Sequence, residues 1–147
     1  MFAEALGAGE DATLTAGTRD AASFTEGWSG LIRSGNVSLR VAREEGALSI
    51  RLPEVGDYPA TLRMDPFPRP LDARPRLPTV EVVLNGVPVT TIPLEWTPDR
   101  VGAYDIVLPR AAVRRGANRL VLRVGTGDAI GVWYVRVRPR IVGPFGL

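Results

Sequence analysis

Hydrophobic and polar residues alternate along most of this 147-residue chain, which is the pattern of half-buried β-strands. In one clear segment Tyr58, Ala60, Leu62 and Met64 point to one side, and polar residues between them point to the other. Turn-forming residues separate such segments at the spacing typical of a β-sandwich. The pattern predicts strands at residues 12–16, 37–42, 46–52, 58–65, 79–85, 87–94, 102–108, 118–124 and 131–138.

Helices are disfavoured by the frequency of glycine and proline. The chain contains 16 glycines and 13 prolines, and its longest stretch without either covers only residues 36–45. Both residues weaken helix interiors, and proline also removes a hydrogen-bond donor. The predicted fold class is therefore all-β, an antiparallel β-sandwich.

Local turn signals support this prediction. Asn85-Gly86 supplies the two residues with positive φ that a type I′ hairpin turn needs, and joins two predicted strands. Residues 111–117 form a predicted corner, in which Gly116 provides conformational freedom and Asn118 caps the turn. Alternation in the last strand places Trp133 in the core.

The size of the chain predicts one domain over residues 1–147. Residues 1–10 are expected to form a flexible or partner-contacting arm, and the proline-rich segment 66–78 is expected to form an extended loop outside the sheets. No apolar run is long enough to span a bilayer, and no secretory signal is visible at the start of the sequence.

Several kinds of chemistry are excluded by composition. The chain has no cysteine, and all 18 of its basic residues are arginine, so lysine and histidine are absent. Disulfides, thiolate or imidazole metal sites, Schiff-base lysines and histidine-activated nucleophiles are therefore excluded. The adjacent pair Glu44-Glu45 is predicted to be solvated at a hairpin turn rather than opposed across a cleft, as glycoside hydrolysis requires. The chain is expected not to be an enzyme.

Four segments carry a family resemblance: Val83-Leu-Asn-Gly-Val-Pro-Val89, Leu94-Glu-Trp96, Tyr104-Asp-Ile-Val-Leu-Pro109, and residues 113–122 with Gly116 and Asn118. Together they resemble galactose-binding-like jelly-roll domains, which include sugar-binding domains of glycoside hydrolases. The segment Phe24-Thr-Glu-Gly-Trp-Ser-Gly30 is similar to soluble domains appended to bacterial membrane glycosyltransferases.

The resemblance implies a jelly-roll β-sandwich that binds carbohydrate, usually outside the cytoplasm or at the cell surface, sometimes with a structural calcium ion. Calcium would need several oxygen ligands, and only Glu10, Asp11, Asp20 and Glu26 are acids close enough in sequence to converge. Their spacing matches no known loop motif. We therefore expect no cofactor, with structural calcium as the alternative.

Sugar binding needs an aromatic face beside groups that can pair with hydroxyls. The candidate ligand-binding residues, expected on loops, are Glu26, Trp28, Arg33, Glu95 and Trp96. The alternative is structural: Trp28 and Trp96 would close the two ends of the sandwich, and Glu26 would bind loop backbone amides.

Charge is distributed unevenly, with net charge −4 over residues 1–57 and +7 over residues 100–147. Acidic and basic strands could lie beside each other, or a basic face could bind an anionic partner. The candidate partner face would require two predicted strands to be neighbours and comprises Arg119, Arg123, Tyr134, Arg136 and Arg138. Its single exposed aromatic residue disfavours nucleic acid.

Two functions remain after these considerations. The leading hypothesis is a non-catalytic carbohydrate-binding accessory module of a cell-surface or extracytoplasmic protein. The alternative is a structural or assembly domain that packs through its strands and its arginine-rich face, because an exposed strand can pair with another sheet edge.

Overall fold

A computed structural model describes residues 12–15, 24–34, 37–67, 77–95, 100–125 and 128–140. These residues form an all-β structure, and within the described ranges no helix is long and apolar enough to cross a membrane. The strands, in chain order, are β1 (Ala12–Thr15), β2 (Phe24–Ser34), β3 (Val37–Leu52), β4 (Tyr58–Pro66), β5 (Thr79–Leu84), β6 (Val87–Pro93), β7 (Gly102–Leu108), β8 (Gly116–Arg123) and β9 (Ala129–Val137).

All strand pairs are antiparallel, and the strand order is β6-β5-β8-β3-β9-β4-β7, with β1 paired to β9 and β2 to β3. The long strand β3 belongs to both layers of the sandwich. Its residues 45–52 pair with β8, and its residues 40–43 pair with β9. We call the layer of β6, β5, β8 and residues 45–52 the first sheet, and the layer of residues 40–43, β9, β4 and β7 the second sheet.

The transition between the sheets occurs at Glu44, whose φ of 66° bends β3. The Glu44 amide donates to the carbonyl of Asp128 at 3.0 Å, and its carbonyl accepts from the amide of Val124 at 2.7 Å. The prediction of two strands separated by a hairpin turn at Glu44-Glu45 is wrong. The positive φ produces a bend within one strand, and both glutamates are exposed there, as expected.

The core lies between the two sheets and confirms the predicted alternation. Leu62 and Met64 of the second sheet belong to the same buried cluster as Val82 and Leu84 of the first. Burying these side chains supplies about 1.5–3 kcal/mol each. The remaining predicted strands have the expected positions to within two residues at either end.

Both predicted turns are confirmed. Asn85 and Gly86 have φ values of 51° and 82° and connect β5 to β6. Gly116 has a φ of 92°, which favours glycine at this corner. Asn118 is buried, and its carboxamide accepts from the amide of Arg114 and donates to the carbonyls of Arg114 and Gly116 at 2.8–3.0 Å.

Strand β2 was not predicted, because its sequence is irregular. It pairs with β3 from Phe24↔Leu48 to Ser34↔Val37, with three register shifts before Gly30. Gly27 lies within these bulges at a φ of 85°, and a Cβ there would lie 2.1 Å from the carbonyl oxygen of Glu45. The expectation that Glu26, Trp28 and Arg33 lie on a loop is therefore wrong.

The prediction that Trp133 lies in the core is also wrong. The register between β4 and β9 pairs Arg63 with Tyr134 but Met64 with Val132, so Trp133 is the extra residue of a β-bulge. A bulge shifts the alternation by one residue. Trp133 is half-buried outside the core cluster, whereas Val132 is fully buried.

The proline-rich segment was predicted to begin outside the sheets at residue 66. Instead, Pro66 is the last residue of β4 and pairs with Ile130, because the next amide, that of Phe67, donates to the carbonyl of Ala129 at 3.0 Å. Residues 68–76 and the predicted arm at residues 1–10 lie outside the described residues.

Candidate functional site

A cleft of about 240 Å³ lies at the start of β7. It stands beside the end of β6, where the chain passes from the first sheet to the second. We call it the first cleft, and it is lined by Arg63, Glu95, Arg100, Val101, Gly102, Ala103 and Tyr104. Its lining combines guanidinium, carboxylate and phenol groups, which supply both donors and acceptors.

Arg63 of β4 fixes one wall of the cleft. Its Nη2 donates to the Val101 carbonyl at 2.7 Å, and its Nε lies 3.3 Å from the carbonyl oxygens of both Val101 and Gly102. The buried carboxylate of Asp65 accepts from the Gly102 amide at 3.0 Å. Two side chains of β4 thus hold the beginning of the neighbouring strand, so the wall is formed before any ligand arrives.

Tyr104 forms the opposite part of the cleft. Its hydroxyl accepts from the Glu95 amide at 2.8 Å and lies 3.5 Å from the Glu95 carbonyl. Burial raises the pKa of Tyr104 above its ordinary value, so the phenol stays neutral at physiological pH. A Cβ at Gly102 would lie 2.7 Å from this hydroxyl, so glycine is needed for the phenol to reach Glu95.

An aromatic pair lies next to Arg63. The rings of Trp133 and Tyr134 meet edge to face, with centroids 4.9 Å apart and planes inclined by 66°. The guanidinium of Arg63 lies 4.9 Å from the centre of the Trp133 ring and 5.7 Å from that of Tyr134. Its Nη1 is also 3.4 Å from the Tyr134 hydroxyl. One arginine therefore contacts both the wall of the first cleft and the aromatic pair.

Such a surface suits a polyhydroxylated ligand. Aromatic side chains offer an apolar body with a polar end, and a guanidinium and a carboxylate can pair with hydroxyl groups from opposite sides. The volume is below the roughly 300–1,000 Å³ of pockets that enclose larger ligands. The first cleft therefore has room for a small group, such as one sugar residue, at its centre.

No protein-family model matches the chain, and no curated protein sequence matches it. Solved structures do match. A family 35 carbohydrate-binding module from Clostridium thermocellum has a TM-score of 0.62 at 14% identity, over 86% of this chain and 97% of that one. The CBM36-1 domain of a multidomain xylanase from the hindgut metagenome of Trinervitermes trinervoides has a TM-score of 0.59 at 13% identity, over 90% and 99%.

The chain has the jelly-roll fold of carbohydrate-binding modules. A third similar structure, a CBM36 module in complex with calcium and xylotriose, has a TM-score of 0.50 at 12% identity, over 78% of this chain and 91% of that one. The matches cover nearly the whole of the smaller modules, so they concern the complete sandwich. The fold expected from the family resemblance is thereby confirmed.

Within this jelly roll, the predicted ligand-binding residues Glu26, Trp28 and Arg33 lie along β2. Trp28 is half-buried, and its indole Nε1 donates to the Ala47 carbonyl at 2.7 Å. Its ring packs edge to face on Phe24, with a centroid distance of 5.0 Å, and contacts the core. These contacts give Trp28 a structural role, while Glu26 and Arg33 remain exposed.

Of the other two predicted ligand-binding residues, only Glu95 lies within the described ranges. Glu95 is exposed and lines the first cleft, where its backbone binds Tyr104. Trp96 lies outside the described residues. Of the five predicted ligand-binding residues, Glu95 alone is shown to line this cleft.

The structure does not bring the predicted partner face together. Arg119 and Arg123 lie on β8 of the first sheet, whereas Tyr134 and Arg136 lie on β9 of the second, and Arg138 follows β9. Strand β3 separates β8 from β9 in the strand order. The condition on which that face depended, that these strands are neighbours, is therefore not met.

Acidic residues of β2, β3 and β5 pair with the arginines of β8 instead. Arg123 makes ion pairs of 3.1 Å with both Glu45 of β3 and Glu81 of β5, and Arg119 lies 3.4 Å from Glu26 of β2. For β8 this confirms the alternative in which acidic and basic strands lie beside each other.

Three of the four acids considered for calcium, Glu10, Asp11 and Asp20, lie outside the described residues. Glu26 is described, and it pairs with Arg119. Across the part of the chain that the structure describes, no three acidic side chains converge. The donors shown here do not make a calcium site, which needs six to eight oxygen ligands.

Sequence reasoning missed Arg63, Tyr104 and Trp133 as site residues. Strict alternation places Trp133 inward and Tyr134 outward, and no local signal marks the bulge that brings both rings to the surface. Arg63 was correctly expected to point outward, but its position beneath Trp133 depends on a bulge that no local motif marks.

Proposed function

We propose that this protein is a non-catalytic carbohydrate-binding module, and that the first cleft and the Trp133–Tyr134 pair form its binding surface. The observation that carries the proposal is the jelly-roll likeness over the complete sandwich, with TM-scores of 0.59 and 0.62 to two carbohydrate-binding modules. The mixed polar and aromatic surface around Arg63 supports it independently.

The proposed binding mode uses two parts of this surface. A sugar ring lies with its apolar face against the Trp133–Tyr134 pair, and the hydroxyls of the same or the next residue enter the first cleft. There Glu95 accepts hydrogen bonds from hydroxyls, and Arg100 donates to them. Trp96, which directly follows Glu95 in the sequence, stays a predicted ligand-binding residue outside the described ranges.

The carboxylates described around the first cleft support the non-catalytic part of this proposal. Hydrolysis of a glycosidic bond needs two carboxyl groups on opposite sides of it, about 5–9.5 Å apart. Among the residues described around the first cleft, Glu95 is the one acid in the lining. The surface can hold and orient a sugar, but the described residues do not supply the second acid.

We also propose an extracytoplasmic or cell-surface location. Among the similar structures is a domain of a multidomain xylanase. A module that binds a polysaccharide is useful where the polymer is, which supports a location at or beyond the cell surface.

The experiment is a glycan array that includes xylotriose, probed with the wild type and with Trp133→Ala. Val107→Ala is a matched control, because Val107 is exposed on β7 but does not line the cleft. We expect the wild type and Val107→Ala to bind the same oligosaccharides and Trp133→Ala to lose about tenfold in affinity, the upper range of one ring-stacking contact. A wild type that binds no glycan on the array contradicts the proposal.

A second candidate function is assembly with another copy of the chain. The observation that favours it is an apolar pair on β2, where Leu31 and Ile32 are 48% and 37% exposed although they are neighbours in one strand. Among the described residues this part of β2 pairs with β3 alone, and a strand edge can add a further strand. Light scattering that shows a constant monomer mass from micromolar to millimolar concentration contradicts assembly.

A further inference from the structure

A second cleft, of about 300 Å³, lies on the first sheet, away from the Trp133–Tyr134 pair. It is formed by the start of β2, the C-terminal half of β3, the β5–β6 turn and the corner before β8. Its lining residues are Thr25, Glu26, Leu48, Ser49, Asn85, Arg114, Ala117, Asn118 and Arg119. This described lining contains no aromatic side chain, so it differs in kind from the first cleft.

Positive charge dominates this cleft. Arg114 and Arg119 line it. Arg51 lies at its border, because Arg51 pairs with the lining residue Ala117 in the register of β3 and β8. Directly paired residues of antiparallel strands share one face of the sheet. The single acid in the described lining is Glu26.

Among the described residues one ion pair crosses the cleft, and it is weak. Arg119 Nη2 lies 3.4 Å from Glu26 Oε2, and their side chains are 51% and 72% exposed. Exposed pairs of this kind exchange readily with solvent and ligands. Arg123, further along β8, differs because two glutamates hold it at 3.1 Å each. The charge of β8 is therefore compensated at Arg123 but available at the cleft.

The backbone that carries these arginines is fixed. The Asn118 carboxamide accepts from the amide of Arg114 at 2.8 Å, and the Asn85 carboxamide accepts from the amide of Arg119 at 2.9 Å. The two carboxamides also bond to each other at 2.8 Å. Two predicted turn residues thus hold both guanidinium-bearing positions, which lowers the ordering cost of binding.

We propose that the second cleft binds the carboxylate or sulfate groups of an acidic polysaccharide. The planar guanidinium matches either group with two parallel hydrogen bonds. The hydroxyls of Thr25 and Ser49 lie in the same cleft for contacts with sugar hydroxyls. Nucleic acid fits less well, because the described lining offers no aromatic surface on which bases could stack.

This inference rests on the proposed function in that both ligands are saccharides, but it concerns a different sheet. It is tested by variants that change the charge of the second cleft, because removing the acid and removing the arginines should change the affinity in opposite directions. Glu26→Gln removes the one acid of the described lining and frees Arg119, so binding of polygalacturonate (carboxylate) or heparin (sulfate) should strengthen about two- to fivefold. The Arg114→Gln, Arg119→Gln double variant should lose at least fivefold, and binding should weaken steeply with added NaCl.

Glu81→Gln is the matched control, because it removes one of the two partners of Arg123 outside the cleft while making the same change in net charge. We expect it to alter affinity by less than Glu26→Gln does. Equal strengthening by the two variants would show a diffuse positive field and overturn the site. Tighter binding of single-stranded DNA than of either polysaccharide would overturn the ligand class.

The same titrations separate the two proposals. Retention of polygalacturonate or heparin binding in Trp133→Ala supports a second site, whether or not xylotriose binds. Binding of neutral oligosaccharides that Trp133→Ala abolishes, without measurable binding of either acidic polymer, overturns the second site and leaves the proposed function intact. Circular dichroism of every variant confirms that the fold is retained.

Discussion

The guanidinium of Arg63 lies 4.9 Å from the centre of the Trp133 ring, while its Nη2 donates to the Val101 carbonyl at 2.7 Å. Arg63 thus links an aromatic side chain of β9 to the beginning of β7, across β4. The bulge at Trp133 makes this link possible, because it turns the indole out of the core toward Arg63. The position of the aromatic surface and the shape of the first cleft therefore depend on one residue.

Arg63→Ala should reduce both stability and binding. It removes charge-assisted hydrogen bonds to two carbonyls and a cation–π contact, so we expect a loss of about 2 kcal/mol in the free energy of unfolding. Arg63→Lys keeps the charge but loses the planar set of donors, so it should restore less than half of the lost free energy of unfolding. Urea denaturation measures both. Equal stability of Arg63→Ala and the wild type would show that the contacts do not hold β7.

Asn118 is predicted to be the most sensitive polar residue of the corner. It is 2% exposed, and its carboxamide bonds to Arg114, Gly116 and Asn85. Asn118→Ala should cost about 1–3 kcal/mol, because it removes these bonds and leaves buried partners unsatisfied. Thermal unfolding by circular dichroism measures the loss. A change in melting temperature below two degrees would contradict the prediction.

Two glycines with nearly the same φ offer a matched comparison. Gly27 and Gly86 have φ values of 85° and 82°, but a Cβ at Gly27 would lie 2.1 Å from the Glu45 carbonyl oxygen, whereas one at Gly86 meets nothing within 4 Å. Gly86→Ala should cost about 1–2 kcal/mol from backbone strain alone. Gly27→Ala should cost clearly more, because β2 must also move away from β3. Chemical denaturation that ranks them in the reverse order would refute the bulge geometry.

Stability should depend on alkaline pH through Tyr104. Burial raises the pKa of this phenol above 10.0, so the folded chain keeps the proton at pH values where the unfolded chain has lost it. The stability that the neutral phenol contributes is fully present below the pKa of the phenol in the unfolded chain, and it is lost as the pH rises through the pKa in the folded chain. The free energy of unfolding therefore falls above about pH 10.

Urea titrations from pH 8 to 11 measure this slope. No lysine or cysteine titrates in that range in this chain, and Tyr58 shifts in the same direction because it is also buried. Tyr104→Phe should make the slope shallower without removing it. An unchanged slope would show that the Tyr104 proton is not linked to folding.

The fold was predictable where a local signal determines the backbone. Asn85-Gly86 supplied both positive φ values of the hairpin, and strict alternation placed Leu62 and Met64 in the core. The wrong predictions fall where a single residue interrupts the alternation of inward and outward side chains. Glu44 was assigned to a turn because adjacent glutamates before a glycine resemble one, yet pairing of β3 with both β8 and β9 makes the strand continuous.

The candidate site was less predictable, because its residues meet only through tertiary structure. Arg63, Glu95 and Trp133 are far apart in sequence, and the bulge that exposes Trp133 depends on the register between two strands. Trp28 shows what the sequence does not reveal: the Glu-Gly-Trp segment predicts a ligand site, and the structure adds that the indole donates to Ala47 and packs on Phe24. A tryptophan in an irregular segment is informative only once its neighbours are known.

The most direct test of the central claim is a titration of the isotopically labelled protein with xylotriose and other neutral oligosaccharides, followed by amide and indole NMR shifts. A carbohydrate-binding module that uses the first cleft predicts saturable shifts at the Trp133 indole and at the amides of Glu95, Gly102 and Tyr104. Shifts confined to other surfaces would contradict the location of the site. No shift with any oligosaccharide at millimolar concentration would contradict the function.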